Sequence, residues 1–141
     1  MTELDEIAAA LRTVSSRLHR RLRAEAGQAE HSAAQVAVIR HLLEHGPATT
    51  SALARAEGVR PQSMSATVAS LQAAGIVERR PDPDDGRAAQ VYLSEAGERA
   101  LREGRAAKQE WLTRTLAERL SPDERRIVAD AVALIERMLQ P

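Results

Sequence analysis

Gln62, Ser63, Ser65, Ala66, Thr67 and Ser70 fall within nine residues and carry no charge and little bulk. Met64, Val68 and Leu71 are interleaved with them at i, i+4 and i+7, the spacing of one buried helix face. On such a helix the small polar side chains take the opposite side. A solvated helix face usually carries Lys and Glu. Short uncharged donors and acceptors instead suit a helix pressed into a major groove, where base edges are met by short hydrogen bonds and methyl contacts. The competing reading is an ordinary surface helix that happens to be serine-rich.

Guanidinium groups bracket this stretch at Arg60, Arg79, Arg80 and Arg87. Arg87 closes an Asp85-Gly86-Arg87 tip within a segment broken by Pro81, Pro83 and Gly86. Asp-Gly is a hairpin signal. An aspartate two residues before the arginine is expected to hold its side chain in a defined rotamer. A pre-oriented arginine at such a tip suits a narrow minor groove, where the potential is most negative. A solvated turn with an incidental ion pair, worth little to stability, is the alternative.

The elements that must position these groups follow in order. A turn at residues 57–61 leads into a helix over 62–74, with Pro61 tolerated in the first turn and Gly75 as its stop. A strand over 76–80, a Pro/Asp/Gly tip over 81–86 and a returning strand over 89–93 complete a winged helix-turn-helix. The fold class is mainly α with a small β-wing, flanked by long helices.

Residues 50–97 resemble the multiple antibiotic resistance regulator (MarR) family. The matching pieces are Ser51-Ala52-Leu53-Ala54, Gly58-Val59-Arg60, Leu71 with Gly75-Ile76-Val77-Glu78-Arg79, and Asp82-Pro83-Asp84-Asp85-Gly86-Arg87. Tyr92-Leu93-Ser94 and Gly97 then open a helix. Chain length and the flanking helices extend the likeness over nearly the whole sequence. The resemblance implies a homodimer on pseudo-palindromic double-stranded DNA, released by a small, frequently aromatic, molecule. It also implies a repressor-type regulator.

Composition bounds the rest. A length of 141 residues predicts one compact unit, and zero net charge excludes a histone-like polycation. Lys108 is the only lysine among twenty basic residues, so the cationic chemistry is that of arginine, suited to bidentate contact with phosphate and guanine. A codon bias toward Ala and Arg explains the same count. With no cysteine, thiol catalysis and disulfides are excluded. No apolar run reaches membrane length and no signal peptide opens the chain, so a cytoplasmic location is expected. Trp111 and Tyr92 are the only aromatics, which leaves a core of aliphatic residues.

Leu4, Ile7, Leu11, Val14, Leu18 and Leu22 form a heptad-like stripe on a helix over 3–26, ended by Gly27. A second helix over 32–45 is expected to bury Val36, Ile39, Leu42 and Leu43. Thr49 or Thr50 caps a short helix over 51–57, whose Leu53 and Ala54 pack on the reading helix. Ser94 caps a long helix over 95–120, with Ala96, Ala100, Leu101, Trp111, Leu112 and Leu116 on its apolar side. Ser121-Pro122-Asp123-Glu124 is a capping box with proline at the first helical position. The last helix, over 122–140, carries Ile127, Leu134, Ile135 and Leu139, a wide stripe for a terminal helix. A monomer would expose it, so it is expected to pair with Leu4, Ile7 and Leu11 across a dimer. The organisation is therefore residues 1–30 for dimerisation, 31–93 for the DNA-binding lobe and 94–141 for dimerisation.

No catalytic fingerprint occurs, and no enzyme, cofactor or metal is expected. His41 and His45 stand at a spacing that can share a metal, but the 95–120 helix adds no His or Cys; a dipole contact at the helix end is the simpler role for His45. Asp82, Asp84 and Asp85 lack the rest of a calcium loop and form a turn. The effector residues are not specified. The resemblance implies an effector pocket near the first two helices and the start of the long one; with so few aromatics it is expected to be aliphatic with Arg or His anchors, which suits a small aromatic acid. One other class of function remains. Arg60, Arg79, Arg80 and Arg87 are balanced between residues 60 and 93 by Glu78, Asp82, Asp84 and Asp85, as in a winged-helix module that binds protein and not nucleic acid.

Overall fold

The computed structural model describes residues 1–28 and 30–141. It contains helices α1 (Glu3–Glu25), α2 (Ala33–His45), α3 (Thr50–Glu57), α4 (Pro61–Ala73), α5 (Glu95–Arg119) and α6 (Pro122–Leu139). Strands are β1 (Ala48–Thr49), β2 (Val77–Pro81) and β3 (Ala89–Leu93). Where the length predicts one compact unit, the chain divides into two, one of residues 27–104 and one of residues 1–26 with 105–141. No helix among the described residues is long and apolar enough to cross a membrane.

The 27–104 unit holds the core. Leu53, Val68, Leu71, Val38, Val77 and Val91 are fully buried, joined by Ile39, Leu42, Ala54 and Met64. Truncating any of the large ones costs about 2–5 kcal/mol by lost transfer energy and the cavity left behind. The Met64/Val68/Leu71 spacing of α4 is thus the buried one. On α2 the expectation needs correction. Val38, Ile39 and Leu42 are buried, whereas Leu43 is 50% exposed and Val36 only half-buried. Adjacent Val38 and Ile39 share the inward side with Leu42 one turn on, which rotates the buried arc away from Leu43.

Each helix boundary has a local cause. Ser32 and Ser121 close capping boxes with Gln35 and Glu124, and Thr49, not Thr50, caps α3 by accepting from Ala52 N–H at 3.1 Å. Pro61 is the first residue of α4, one position earlier than the spacing predicts. Gly75, at φ 77°, ends α4. There the Ile76 N–H donates to the Leu71 carbonyl and the Gly75 N–H to the Gln72 carbonyl, both at 3.0 Å. This is a Schellman pairing, which a left-handed glycine permits. Ile76 is consumed by that stop, so β2 starts at Val77.

The sheet is antiparallel in the order β1-β3-β2, with Val77 opposite Leu93 and Pro81 opposite Ala89. The two-residue β1 pairs Ala48 with Val91 and Thr49 with Gln90. Sequence reasoning missed it because two residues carry no periodicity. At the far end, Ser94 is 3% exposed and joins two junctions. Its hydroxyl lies 2.5 Å from the Gly75 carbonyl and 3.2 Å from that of Ile76, while the Gly97 N–H donates to Ser94 Oγ at 2.9 Å. The stop of α4 and the start of α5 are thereby tied together.

In the other unit, α1 and α6 contain no buried residue. Arg125 of α6 turns back on the end of α5, donating from Nε to the Leu120 and Leu116 carbonyls at 3.0 and 3.2 Å and from Nη2 to Ala117 at 3.2 Å. A guanidinium here satisfies carbonyls that the helix leaves open and meets its negative end.

Candidate nucleic-acid interface

α4 presents Gln62, Ser63, Ser65, Ala66 and Ser70 to solvent, with Thr67 half-buried. Ala69 is exposed between Ala66 and Ala73. It belongs to the same outward face, and the Met64/Val68/Leu71 spacing was sufficient to find it. Arg60 is the N-cap of α4 and makes no side-chain cap, so its exposed guanidinium stands at the helix's positive end. Two of the α4 hydroxyls are already engaged. Thr67 donates its hydroxyl to the Ser63 carbonyl at 3.1 Å, and Ser70 donates to the Thr67 carbonyl at 2.6 Å. Those protons serve the helix itself.

The wing gathers three arginines. Arg79, Arg80 and Arg87 line one open depression of about 330 Å³ with Pro81 and Gly86. Arg80 is engaged: its guanidinium lies 4.8 Å from the Tyr92 ring and its Nε donates to Gln90 Oε1 at 3.3 Å. Tyr92 in turn donates to Glu78 Oε2 at 2.8 Å. That hydrogen bond, then burial and the nearby Glu78 charge, raise the Tyr92 pKa against the opposing Arg80 charge. Arg79 and Arg87 have no side-chain hydrogen bond or ion pair among the described residues.

Asp85 acts differently from the expectation. Its Oδ1 accepts the backbone N–H of Arg87 at 3.0 Å, and no ion pair joins it to the guanidinium. Asp82 does likewise for Asp84 N–H at 3.0 Å. The acidic cluster is turn chemistry, in which short carboxylates satisfy backbone two residues on. His41 and His45 face each other at 4.7 Å between ring centroids. Among the described residues no three His, Cys, Asp or Glu come together as a metal site.

A helix-turn-helix, an arginine-bearing wing and the Ser94 junction now stand in one lobe. The MarR family model matches residues 32–88. An uncharacterized HTH-type transcriptional regulator of Mycobacterium leprae (strain TN) is 38% identical over 133 residues, spanning 94% of this chain and 92% of its own. The chain belongs to the MarR family. Among solved structures, a candidate transcriptional regulator protein from Pseudomonas aeruginosa PA01 superposes with TM-score 0.81 at 34% identity, over 100% of this chain and 99% of its own. A mutant MepR of S. aureus bound to an oligodeoxyribonucleotide shares the fold with TM-score 0.72 at 18% identity, over 95% and 98% of the two chains. This MarR-family protein is a DNA-binding transcriptional regulator of winged helix-turn-helix fold and not an enzyme.

Proposed function

We propose that the protein is a homodimeric repressor that reads a pseudo-palindromic operator with α4 and the wing and is released by a small-molecule effector. The observation that carries this reading is one lobe bearing both an exposed, uncharged helix face and the uncommitted guanidiniums of Arg79 and Arg87. Gln62, Ser63, Ser65, Ala66 and Ala69 meet base edges in the major groove. Arg60 meets phosphate at the helix start, and Arg87 enters the adjacent minor groove. The MepR structure, bound to an oligodeoxyribonucleotide, supports the same use of the fold.

Dimerisation is supported by apolar surface left uncovered. Leu4 and Ile7 of α1 are 77% and 55% exposed, and Ile127, Leu134 and Leu139 of α6 are 67%, 51% and 79% exposed. Leu11 and Ile135 are half-buried. A soluble monomer rarely leaves so many large apolar side chains bare on two helices. A second copy that covers it sets two α4 helices on successive turns of one duplex.

For the effector, a groove of about 570 Å³ runs along α1 beside Trp111, with Val14, Leu18 and Ala24 as apolar wall and Arg17, Arg20 and Arg21 as cations. Arg21 lies 5.1 Å from the Trp111 ring and pairs with Glu25 at 2.7 Å. An aromatic carboxylate matches this lining: its ring meets Trp111 and the aliphatic wall, and its charge meets Arg17 or Arg20. Such a ligand lowers DNA affinity only by binding the DNA-incompetent state more tightly, and operator must then weaken the ligand by the same factor. Calorimetry with salicylate-like acids, with and without operator, tests the coupling; equal affinity in both removes induction. A salt titration on duplex DNA tests the interface itself. Affinity should fall steeply with salt as phosphate contacts release counterions, whereas a protein-binding module shows no retention even at low salt.

A further inference from the structure

Gln35 lies on α2, outside every element assigned above to DNA, yet its amide is bonded at both ends. Oε1 accepts the Ser32 N–H at 2.9 Å, closing the capping box of α2. Nε2 donates to Ser70 Oγ on α4 at 3.0 Å. Ser70 passes the chain on by donating to the Thr67 carbonyl at 2.6 Å. A hydroxyl has one proton and two lone pairs. The proton of Ser70 is therefore committed to Thr67 and one lone pair to Gln35.

The consequence is geometric. The Gln35–Ser70 bond is a side-chain tether from the start of α2 to the C-terminal half of α4. Successive residues of a helix stand about 100° apart around its axis, so a modest roll of α4 exchanges which side chains meet the bases. A bond on one flank of α4, set against its buried Met64/Val68/Leu71 face, opposes that roll. We propose that Gln35 is a positioning residue for DNA reading, which fixes the roll of α4 through Ser70, and that Ser70 belongs to this tether and not to the base-reading set. The inference rests on α4 being the reading helix.

The test measures affinity for the duplex selected from a random pool and for a mixed-sequence duplex, together with thermal unfolding. Gln35→Ala and Ser70→Ala should each weaken binding to the selected duplex about 2- to 10-fold, the size of one net hydrogen bond, and leave mixed-sequence binding unchanged. The double variant should lose clearly less than the sum of the two single losses, because the tether that each breaks can be lost only once. Ser32→Ala removes the side-chain half of the same capping box and keeps the amide free to reach Ser70. It should lower stability without narrowing the gap between the two duplexes, which separates positioning from mere support of α2. Additive losses in the double variant overturn the tether. So does relaxed preference at a single base position with Ser70→Ala alone, since that makes Ser70 a reader. Gln62→Ala distinguishes the levels. If it changes base preference while Gln35→Ala and Ser70→Ala do nothing, the tether alone falls. If exchanging the whole Gln62, Ser63, Ser65, Ala66 and Ala69 face also leaves preference intact, α4 is not the reader and both claims fall.

Discussion

Asp85 Oδ1 accepts the backbone N–H of Arg87 at 3.0 Å, so the carboxylate shapes the wing tip and leaves the neighbouring guanidinium uncommitted. Two different functions are thereby separated between residues two apart. Arg87→Ala should weaken DNA binding by about 1–3 kcal/mol with native circular dichroism, the loss expected for one arginine contact in a groove. Asp85→Asn keeps an acceptor for the same N–H and should bind nearly as well, whereas Asp85→Ala should loosen the tip and lower affinity. Anisotropy titration of all three against one duplex checks this. An Asp85→Asn protein as weak as Arg87→Ala would mean that the aspartate's charge, and not its hydrogen bond, matters.

Gly97 packs against the Ile76 carbonyl so closely that an added methyl group would overlap its oxygen. The obstacle is backbone, itself bonded by Ser94 N–H at 2.9 Å, and cannot swing aside. Gly97→Ala should therefore destabilise the fold by about 1–3 kcal/mol, as overpacking does. Thermal unfolding reads it directly, and an unchanged midpoint would contradict the packing described.

Why some of this was legible in the sequence and some was not has a physical explanation. α4 announced itself because Met64, Val68 and Leu71 repeat at helical spacing and Pro61 and Gly75 bracket them. Ser121 and Ser94 announced helix starts because their hydroxyls answer a fixed local need three residues on. Val38 is absent from the expected buried face and Leu43 is in it because both fit an apolar stripe. Only the packing of α2 in the core decides between them. The Asp85–Arg87 spacing was read correctly as a partnership but assigned to the guanidinium, since spacing does not distinguish a backbone N–H from a side chain. Gln35 and Ser70 stand thirty-five positions apart, and their bond has no local signature at all.

Tyr92 is the only tyrosine, so its ionisation is readable by ultraviolet absorbance without interference. Donation to Glu78 raises its pKa above the ordinary value of about 10. The sign follows: the neutral phenol is favoured in the fold, so the contribution is present below the unfolded value and is lost as pH rises through the folded one. The native absorbance midpoint should lie above that of the unfolded chain, and Glu78→Ala should bring it down. Coincident native and unfolded midpoints would show that the Tyr92–Glu78 bond does not persist in solution.

The apolar face of α6 makes assembly testable by truncation. Deleting residues 123–141 removes Ile127, Leu134, Ile135 and Leu139, and should give a monomer with DNA binding lost. Sedimentation of full-length and truncated protein measures the first, and anisotropy the second. A truncated chain that sediments as a stable dimer would place the interface elsewhere.

The central claim is that two copies of this lobe read two halves of one duplex. Selection of binding sequences from a random DNA pool measures it most directly. Enrichment of a single motif whose halves are inverted repeats about one helical turn apart is expected. No enriched sequence, or a single unrepeated half-site, would contradict it.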